Sequence, residues 1–451
     1  MLRWLKDFLH KMSPQRWIFV YYLLALSIAT LLLSFPLFYR GDKEIPLIDV
    51  IFVAASALSV TGLTPVGIAE TFNTGGYIMI MLIMNLGGIG IMALGTLVWV
   101  FFGFRIGLRE RMQIMVDNNQ TKLSGVVRLV VEIFKTLIVI EIVGAFIYII
   151  YFMAQGGSIS HSLMTGIFLS VSATTNAGMD LFGNSLLDYT ESYFLQFVVM
   201  LQIMLGAIGF PVLLEARDYL SRREKNFRFS LFTKVTTSTY GLLLAVGTFF
   251  IFVMESQNYF RNDTWFKTLS NSFFASSTTR SGGLTTVDPA QFADGTQVVM
   301  SGLMFIGASP SSAGGGIRTT TLALVILFLV AFSRGRDRVN VFNREIVRED
   351  LYRAFAVISL AVVLVFSGIV SITVIEDSRF DLLDIIFEVT SAFGTCGLST
   401  GITDDLSAPS KVIIMMFMFI GRIGFISFLF SIGGRHQELP YRFPKERLLI
   451  G

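Results

Sequence analysis

Long apolar runs alternate with short mixed ones along the chain. Runs near 17–39, 77–103, 129–153, 193–215, 231–254, 297–332, 351–375 and 411–432 each approach or exceed about 20 residues, the length a helix needs to cross a bilayer. They predict eight spans in four pairs. Between the members of each pair lies a segment of about a dozen residues, too short to span and better read as re-entrant. The first run follows Lys and Arg but continues into Pro36 without a small-residue cleavage site, so it reads as a membrane helix and not a cleaved signal.

The short segments repeat one pattern. Phe52, Ser56, Gly62 and Leu63 recur as Phe168, Ser172, Gly178 and Met179, as Phe273, Ser277, Gly283 and Leu284, and as Phe387, Ser391, Gly397 and Leu398. The glycines fall 116, 105 and 114 residues apart, so the chain is four copies of one unit. The fold expected is an all-α integral membrane protein of four tandem helix, pore-helix, helix repeats. Its eight transmembrane helices and four re-entrant pore loops surround one pseudo-fourfold central pore. The repeats cover 17–103, 129–215, 231–332 and 351–434, between a cytoplasmic segment 1–16 and a cytoplasmic tail 435–451.

Composition sharpens the class without changing it. Hydrophobic residues make up 53% of the chain and charged ones 15%, with 43 Phe and a mean hydropathy of +0.68, which excludes a soluble domain. The net charge of +3 is too small to argue for nucleic acid. The single cysteine, Cys396, rules out an intramolecular disulfide, and His10, His161 and His436 form no ligand motif. No nucleophile–base pair or phosphate loop supports an enzyme.

Charge then sets the orientation. Arg105, Arg109, Arg111, Lys122 and Arg128 lie in the first connection between repeats, Arg217, Arg222, Arg223, Lys225, Arg228 and Lys234 in the second, and Arg334, Arg336, Arg338, Arg344, Arg348 and Arg353 in the third. Both ends of the chain are basic as well, so the positive-inside rule puts these faces and both termini in the cytoplasm. The opposite loops carry Glu70, Asp180, Asp188, Glu191, Asp288, Asp294, Asp404 and Asp405. They form either an acidic mouth that concentrates cations or ordinary solvated loops.

A dehydrating cation needs oxygen ligands, and backbone carbonyls supply them without a full negative charge. The candidate filter stretches are Val60, Thr61 and Gly62; Asn176, Ala177 and Gly178; Ser281, Gly282 and Gly283; and Thr395, Cys396 and Gly397. Varied side chains around a constant glycine point to coordination by the backbone. The second spans carry small residues starting at Gly87, Gly206, Gly307 and Gly421, which allow close packing. In the third repeat, Ser309, Pro310, Ser311, Ser312, Ala313, Gly314, Gly315 and Gly316 interrupt the span within a loop of 309–321. Irregular backbone at that depth is tolerated inside protein or beside water, so the loop is a candidate gate or a plain helix break. Arg422 sits where the other repeats are neutral, and burial requires a partner or a wet cavity. It faces the pore as a barrier, pairs with the buried Glu388, or does both. Arg280 is expected to hold the filter from behind, and Glu141 has no assigned role.

The fourfold unit, the stretch Phe387 to Ser399, the Thr279 to Gly283 turn and the Gly421-Arg422-Ile423-Gly424 motif resemble the Trk/Ktr/HKT superfamily of potassium transporters, over residues 17 to 435. Eight spans make the chain most similar to the membrane subunit of bacterial Ktr systems. That resemblance implies potassium uptake, often sodium-dependent, with K+ at the filter carbonyls, no cofactor in this chain and Na+ as a candidate activator. It carries filter roles to Gly62, Gly178, Gly283 and Gly397, the gate to the loop around Gly314–Gly316 and the barrier to Arg422. Gly62 matches the potassium-selective pattern, where serine accompanies sodium permeation. It also implies a homodimer in the plasma membrane, seated on a cytosolic ring of nucleotide-binding (RCK-type) subunits. The alternatives are an alternating-access secondary transporter, which the common orientation of the repeats disfavours, and a sodium-permeable relative.

Overall fold

The computed structural model describes residues 14–41, 45–90, 125–221, 227–336 and 338–424, with isolated positions between 107 and 115 and residue 428. The basic clusters at both ends of the chain, the tail 435–451 and most of the first connection lie outside the described residues. The described part is helical apart from single turns, loops and one two-stranded hairpin.

The helices are α1 (Pro14–Leu33), α2 (Leu47–Ser59), α3 (Thr74–Ile89), α4 (Val126–Ala154), α5 (Ile159–Thr175), α6 (Tyr193–Ala207), α7 (Phe210–Leu220), α8 (Leu231–Glu255), α9 (Trp265–Thr278), α10 (Asp294–Phe305) and α11 (Thr319–Ser333). The hairpin β1 (Asn340–Val341) and β2 (Arg344–Glu345) follows, then α12 (Arg348–Glu376), α13 (Leu382–Gly394) and α14 (Ala408–Ile423). Four of them, α1, α4, α8 and α12, are long and apolar enough to cross a membrane as single helices. Their outward faces carry exposed Leu, Ile, Val and Phe, such as Leu31, Phe146, Phe249 and Phe366, as lipid contact requires. This is a multi-pass membrane protein.

Each long helix is followed by a short buried one (α2, α5, α9, α13) and then by α3, α6, α10 or α14. The short helices invert the usual logic of amphipathicity. From Phe168 in α5 to Ala177 just beyond its end, ten consecutive residues, polar and apolar, are buried, so protein surrounds the segment on all sides. Packing between units runs in a circle. The third helix of each unit lies against the short helix of the next: α3 on α5, α6 on α9, α10 on α13, and finally α14 back on α2.

The apolar runs predicted as second spans do not continue as straight helices. α6 bends by 106° into α7, around Gly209 at φ +103°. α3 and α14 end on Gly90 at φ +96° and Gly424 at φ +88°, conformations that favour glycine. In the third unit the run splits into α10 and α11, with the loop 306–318 between them. That interruption is expected over 309–321, whereas Thr319 already begins α11. The other three breaks lie hidden inside runs that look continuous, because a sequence window reports hydrophobicity and not backbone hand.

Two of the long helices are tied at their last residue to the start of the third helix of their unit. Glu255, the last residue of α8, accepts from Ala293 N at 3.0 Å and from the Thr296 hydroxyl at the start of α10. Glu376, the last residue of α12, accepts from Ser407 N at 2.9 Å and Ser407 Oγ at 2.6 Å, just before α14. A carboxylate there satisfies donors that a helix N-terminus leaves open and complements its dipole.

Candidate ion pathway

The segments that leave the four short helices share one backbone conformation. Val60 (φ +57°), Asn176 (φ +61°), Ser281 (φ +63°) and Thr395 (φ +44°) all adopt left-handed dihedrals, and so do Gly62 (φ +103°), Gly178 (φ +68°), Gly283 (φ +73°) and Gly397 (φ +90°) two positions later. Left-handed backbone at β-branched Val60 and Thr395 is an outlier that costs on the order of 1–3 kcal/mol. Sequence reading placed these four residues in the filter stretches but did not foresee their left-handed backbone, because four different residue types share no signal for it.

The repeated serine has a local task in two units. Ser56 Oγ accepts the Gly62 amide at 3.0 Å and Ser391 Oγ accepts the Gly397 amide at 3.1 Å. The backbone oxygens of Ser56, Ser172 and Ser391 accept the amides of Thr61, Ala177 and Cys396 at 2.8–2.9 Å, so each turn closes on its own helix. The repeated phenylalanines Phe52, Phe168 and Phe387 are fully buried and wedge these helices into their units.

The four glycines meet in a closed ring. A Cβ on Gly62 would lie 2.5 Å from the Ala177 carbonyl oxygen; one on Gly178 would lie 2.6 Å from Gly283 Cα and 3.2 Å from the Gly282 oxygen. On Gly283 it would meet the Cys396 oxygen at 2.6 Å, and on Gly397 it would collide with the Thr61 oxygen. Every glycine therefore abuts the preceding-residue carbonyl of the next unit, in chain order, and the circle closes from the fourth unit onto the first. No side chain fits at any of the four positions without displacing backbone.

Side chains lock the ring from outside. Ser281 Oγ donates to the Gly394 carbonyl at 2.8 Å and Cys396 Sγ to the Thr278 carbonyl at 3.2 Å, stitching the third and fourth segments together. Thr61 Oγ1 turns back to Ser59 Oγ at 2.7 Å. With its nitrogen turned inward, the Asn176 amide donates to Ala173 O at 3.1 Å and Ile203 O at 3.3 Å. None of these polar side chains is spent on the ring's own centre. Arg280, fully buried, donates to the carbonyls of Leu303, at 3.2 Å, and Ile306. These are oxygens freed by the end of α10, so Arg280 holds the segment against the break in its own unit.

The loop between α10 and α11 lies directly beneath the ring. A Cβ on Gly314 would meet Ser281 Cβ at 2.7 Å, and one on Gly315 would meet Thr395 Oγ1 at 2.6 Å. The loop's backbone is bonded to other units: Ser309 N to Ala207 O at 3.0 Å, Ala313 N to Gly206 O at 3.0 Å, Gly316 N to Gly421 O at 3.2 Å, and Ser311 O from Phe210 N at 2.8 Å. Pro310, Ser312 and Ala313 complete the crossing; Ser312 Oγ donates to Ser309 O at 2.6 Å and Ala313 packs with Ile89 and Phe210.

Arg422 reaches this loop and not Glu388. Its guanidinium donates to the carbonyls of Ala313, Gly87 and Gly88, the last at 2.9 Å. Glu388 accepts from the Thr403 hydroxyl, which lies 3.0 Å from Ser399 Oγ, and so braces the chain just after Gly397. The expected Arg422–Glu388 pair is not formed among the described residues, because the two act on opposite sides of the ring. Glu141 is buried in α4, and its backbone oxygen accepts from Ser170 of the neighbouring short helix at 2.7 Å. Arg318 also donates to the loop, a contact that sequence reading did not anticipate. Among the described residues no group of His, Cys, Asp and Glu could hold a metal ion.

The chain is similar in sequence and shape to proteins described as transporters. Residues 18–433 match the family described as TrkH, cation transport protein. The chain is 47% identical over 440 residues to the Ktr system potassium uptake protein D of Bacillus subtilis, covering 98% of both chains. It is 33% identical to the potassium/sodium uptake protein NtpJ of Enterococcus hirae, again over 98% of each. The crystal structure of the potassium transporter TrkH from Vibrio parahaemolyticus superposes with a TM-score of 0.73 at 16% identity, over 94% of this chain and 86% of that one. The circular packing of four helical units and the extent of these matches lead to one assignment: the chain belongs to the TrkH family of cation transport proteins.

Proposed function

We propose that this chain is the membrane subunit of a potassium uptake system and that potassium crosses it along the axis enclosed by the four units. The observation that carries the reading is the closed glycine ring, in which the carbonyls of Thr61, Ala177, Gly282 and Cys396 each approach a glycine of the adjoining unit. Four carbonyls around one axis replace water ligands without adding fixed charge, which lets a cation bind and leave. The four short helices end at the same ring, so their dipoles place partial negative charge beside it. In this reading α2, α5, α9 and α13 are pore helices, the twelve residues Val60–Gly62, Asn176–Gly178, Ser281–Gly283 and Thr395–Gly397 form the selectivity filter, and Arg280 and Glu388 support it from behind.

The loop from Ser309 to Gly316 is the gate, because it crosses below the ring and bonds to the other units. Arg422 adds a positive charge at this constriction and acts as the barrier that weakens cation binding on the inner side. The basic connections face the cytoplasm, where a separate nucleotide-binding ring of RCK type moves the gate, and two copies of the chain form a homodimer. Sodium acts as an activator and not as the permeant ion. These assignments rest on similarity to the Ktr and Trk proteins and on the chemistry of the ring.

The experiment is rubidium uptake by potassium-uptake-deficient cells expressing the chain, with sodium as competitor, beside Gly62→Ser. Uptake that prefers rubidium in the wild type and loses that preference in the variant supports the filter. Indifference to Gly62 sinks it and brings an alternating-access mechanism forward; equal sodium uptake by the wild type makes the chain a sodium-permeable relative.

A further inference from the structure

Three arginines act on backbone oxygens of the interrupted span. Arg280 takes the end of α10 at Leu303 and Ile306. Arg422 takes Ala313 within the loop. Arg318 takes Ser309, at 3.4 Å, and Gly314, one oxygen on each side of the Pro310–Ala313 bend. Arg318 stands at the N-cap of α11, where the helix dipole disfavours a cation. Its placement there is explained by the two carbonyls and not by the helix.

Carbonyl oxygen is the ligand that a dehydrated cation seeks. In this seat the Ser309, Ala313 and Gly314 oxygens are already taken by guanidinium donors, and Arg318 reaches both of its carbonyls with one nitrogen, Nη1. Arg318 and Arg422 approach the loop from its own unit and from the fourth unit and take the adjacent carbonyls of Gly314 and Ala313, which brings two like charges to one place. Their hold on the loop therefore works against their mutual repulsion.

We propose that Arg318 is a gate-positioning residue: it clamps the Ser309 and Gly314 carbonyls in the seat below the glycine ring, and opening the pathway requires that clamp to release. The inference rests on reading the loop as the gate, and it assigns to Arg318 a role separate from ion selection at the ring. Losing the clamp speeds permeation and leaves ion preference alone, whereas a merely structural arginine would slow permeation when lost.

The test is rubidium flux into proteoliposomes containing the full-length chain, with sodium competition, for wild type, R318Q, R318K and Gly62→Ser. R318Q is expected to raise the maximal flux several-fold with unchanged rubidium-over-sodium preference. R318K is expected to fall between, since an ammonium keeps the charge but ends a shorter side chain that reaches the two carbonyls less well. Wild-type flux that R318Q leaves equal or lower, in protein of normal elution and melting temperature, overturns the clamp, as does a changed ion preference. If R318Q does not assemble, R318K decides alone, with raised flux supporting the clamp and flux at or below wild type overturning it. An absence of wild-type flux, or no effect of Gly62→Ser, overturns the underlying reading of the pathway instead.

Discussion

Lys411 Nζ and Asp49 Oδ1 meet at 2.7 Å, although 362 residues separate them in the chain. Asp49 lies in the first turn of α2 and Lys411 in the first turn of α14, and both side chains are almost fully buried. The pair joins the last unit to the first and so fastens the circle at the place where no peptide connects its members.

Removing one partner strands a buried charge, which costs about 3–5 kcal/mol, whereas replacing both with apolar residues of similar size is far cheaper. Lys411→Met and Asp49→Leu should each lower the melting temperature of the purified protein sharply. The double variant should recover most of the loss. Additive losses in thermal melts would show that the two residues stabilise the fold independently.

Arg280 should be needed for the break in the third unit. Arg280→Ala leaves the Leu303 and Ile306 carbonyls without their donor, at roughly 1–3 kcal/mol for each, and removes a large buried side chain. Arg280→Lys can still reach one oxygen and should lose less. Thermal melts of the two variants check this, and an alanine variant as stable as wild type would contradict it.

Asp180 lies two residues beyond Gly178 and accepts amides from Phe182 and Gly183 at 2.8 Å. Burial raises its carboxyl above the ordinary value against the pull of these bonds. An acid raised on folding favours the folded state most below its unfolded value, and that contribution is lost as pH rises through the raised one. The same shift removes negative charge near Gly178 when the medium is acidified. Uptake at limiting rubidium should therefore weaken between neutral and acid pH, and Asp180→Asn should show the weak uptake at neutral pH already. A variant with the same pH profile as wild type would exclude Asp180 as the group responsible.

Gly178→Ala should abolish transport while the protein still reaches the membrane. The added methyl would lie 2.6 Å from Gly283 Cα, on backbone held at φ +68°, so the ring itself must shift. Uptake of rubidium against surface expression measures this directly, and normal uptake would mean that the ring does not line the pathway.

The long helices were readable because α1, α4, α8 and α12 are exposed to lipid along most of their length, and hydropathy records that exposure. The four short segments were readable for another reason: Phe, Ser and Gly recur at one offset, with a left-handed turn at the glycine in all four units, a fully buried phenylalanine in three and a serine cap on the glycine amide in two. The interruption of the third run was legible in its Ser, Pro and Gly stretch, but the breaks after Ile89, Ala207 and Ile423 were not. Their freed carbonyls are satisfied across units, Gly87 and Gly88 by Arg422 and Gly206 by Ala313, and no local window holds both partners. Arg422 itself stood out as a charge in an apolar run, but its partner was misjudged for the same reason. Arg318 went unnoticed because an arginine at the end of a polar stretch looks ordinary until the stretch is folded under the ring.

The central claim is that cations pass through the ring bounded by Gly62, Gly178, Gly283 and Gly397. Its most direct test is a structure of the purified full-length protein in rubidium or thallium, with the anomalous signal used to place the ion. Signal on the axis, within coordination distance of the carbonyls of Thr61, Ala177, Gly282 and Cys396 and displaced by potassium but not by sodium, is the predicted result. Ions located only elsewhere, with none at the ring under conditions that support uptake, would contradict it.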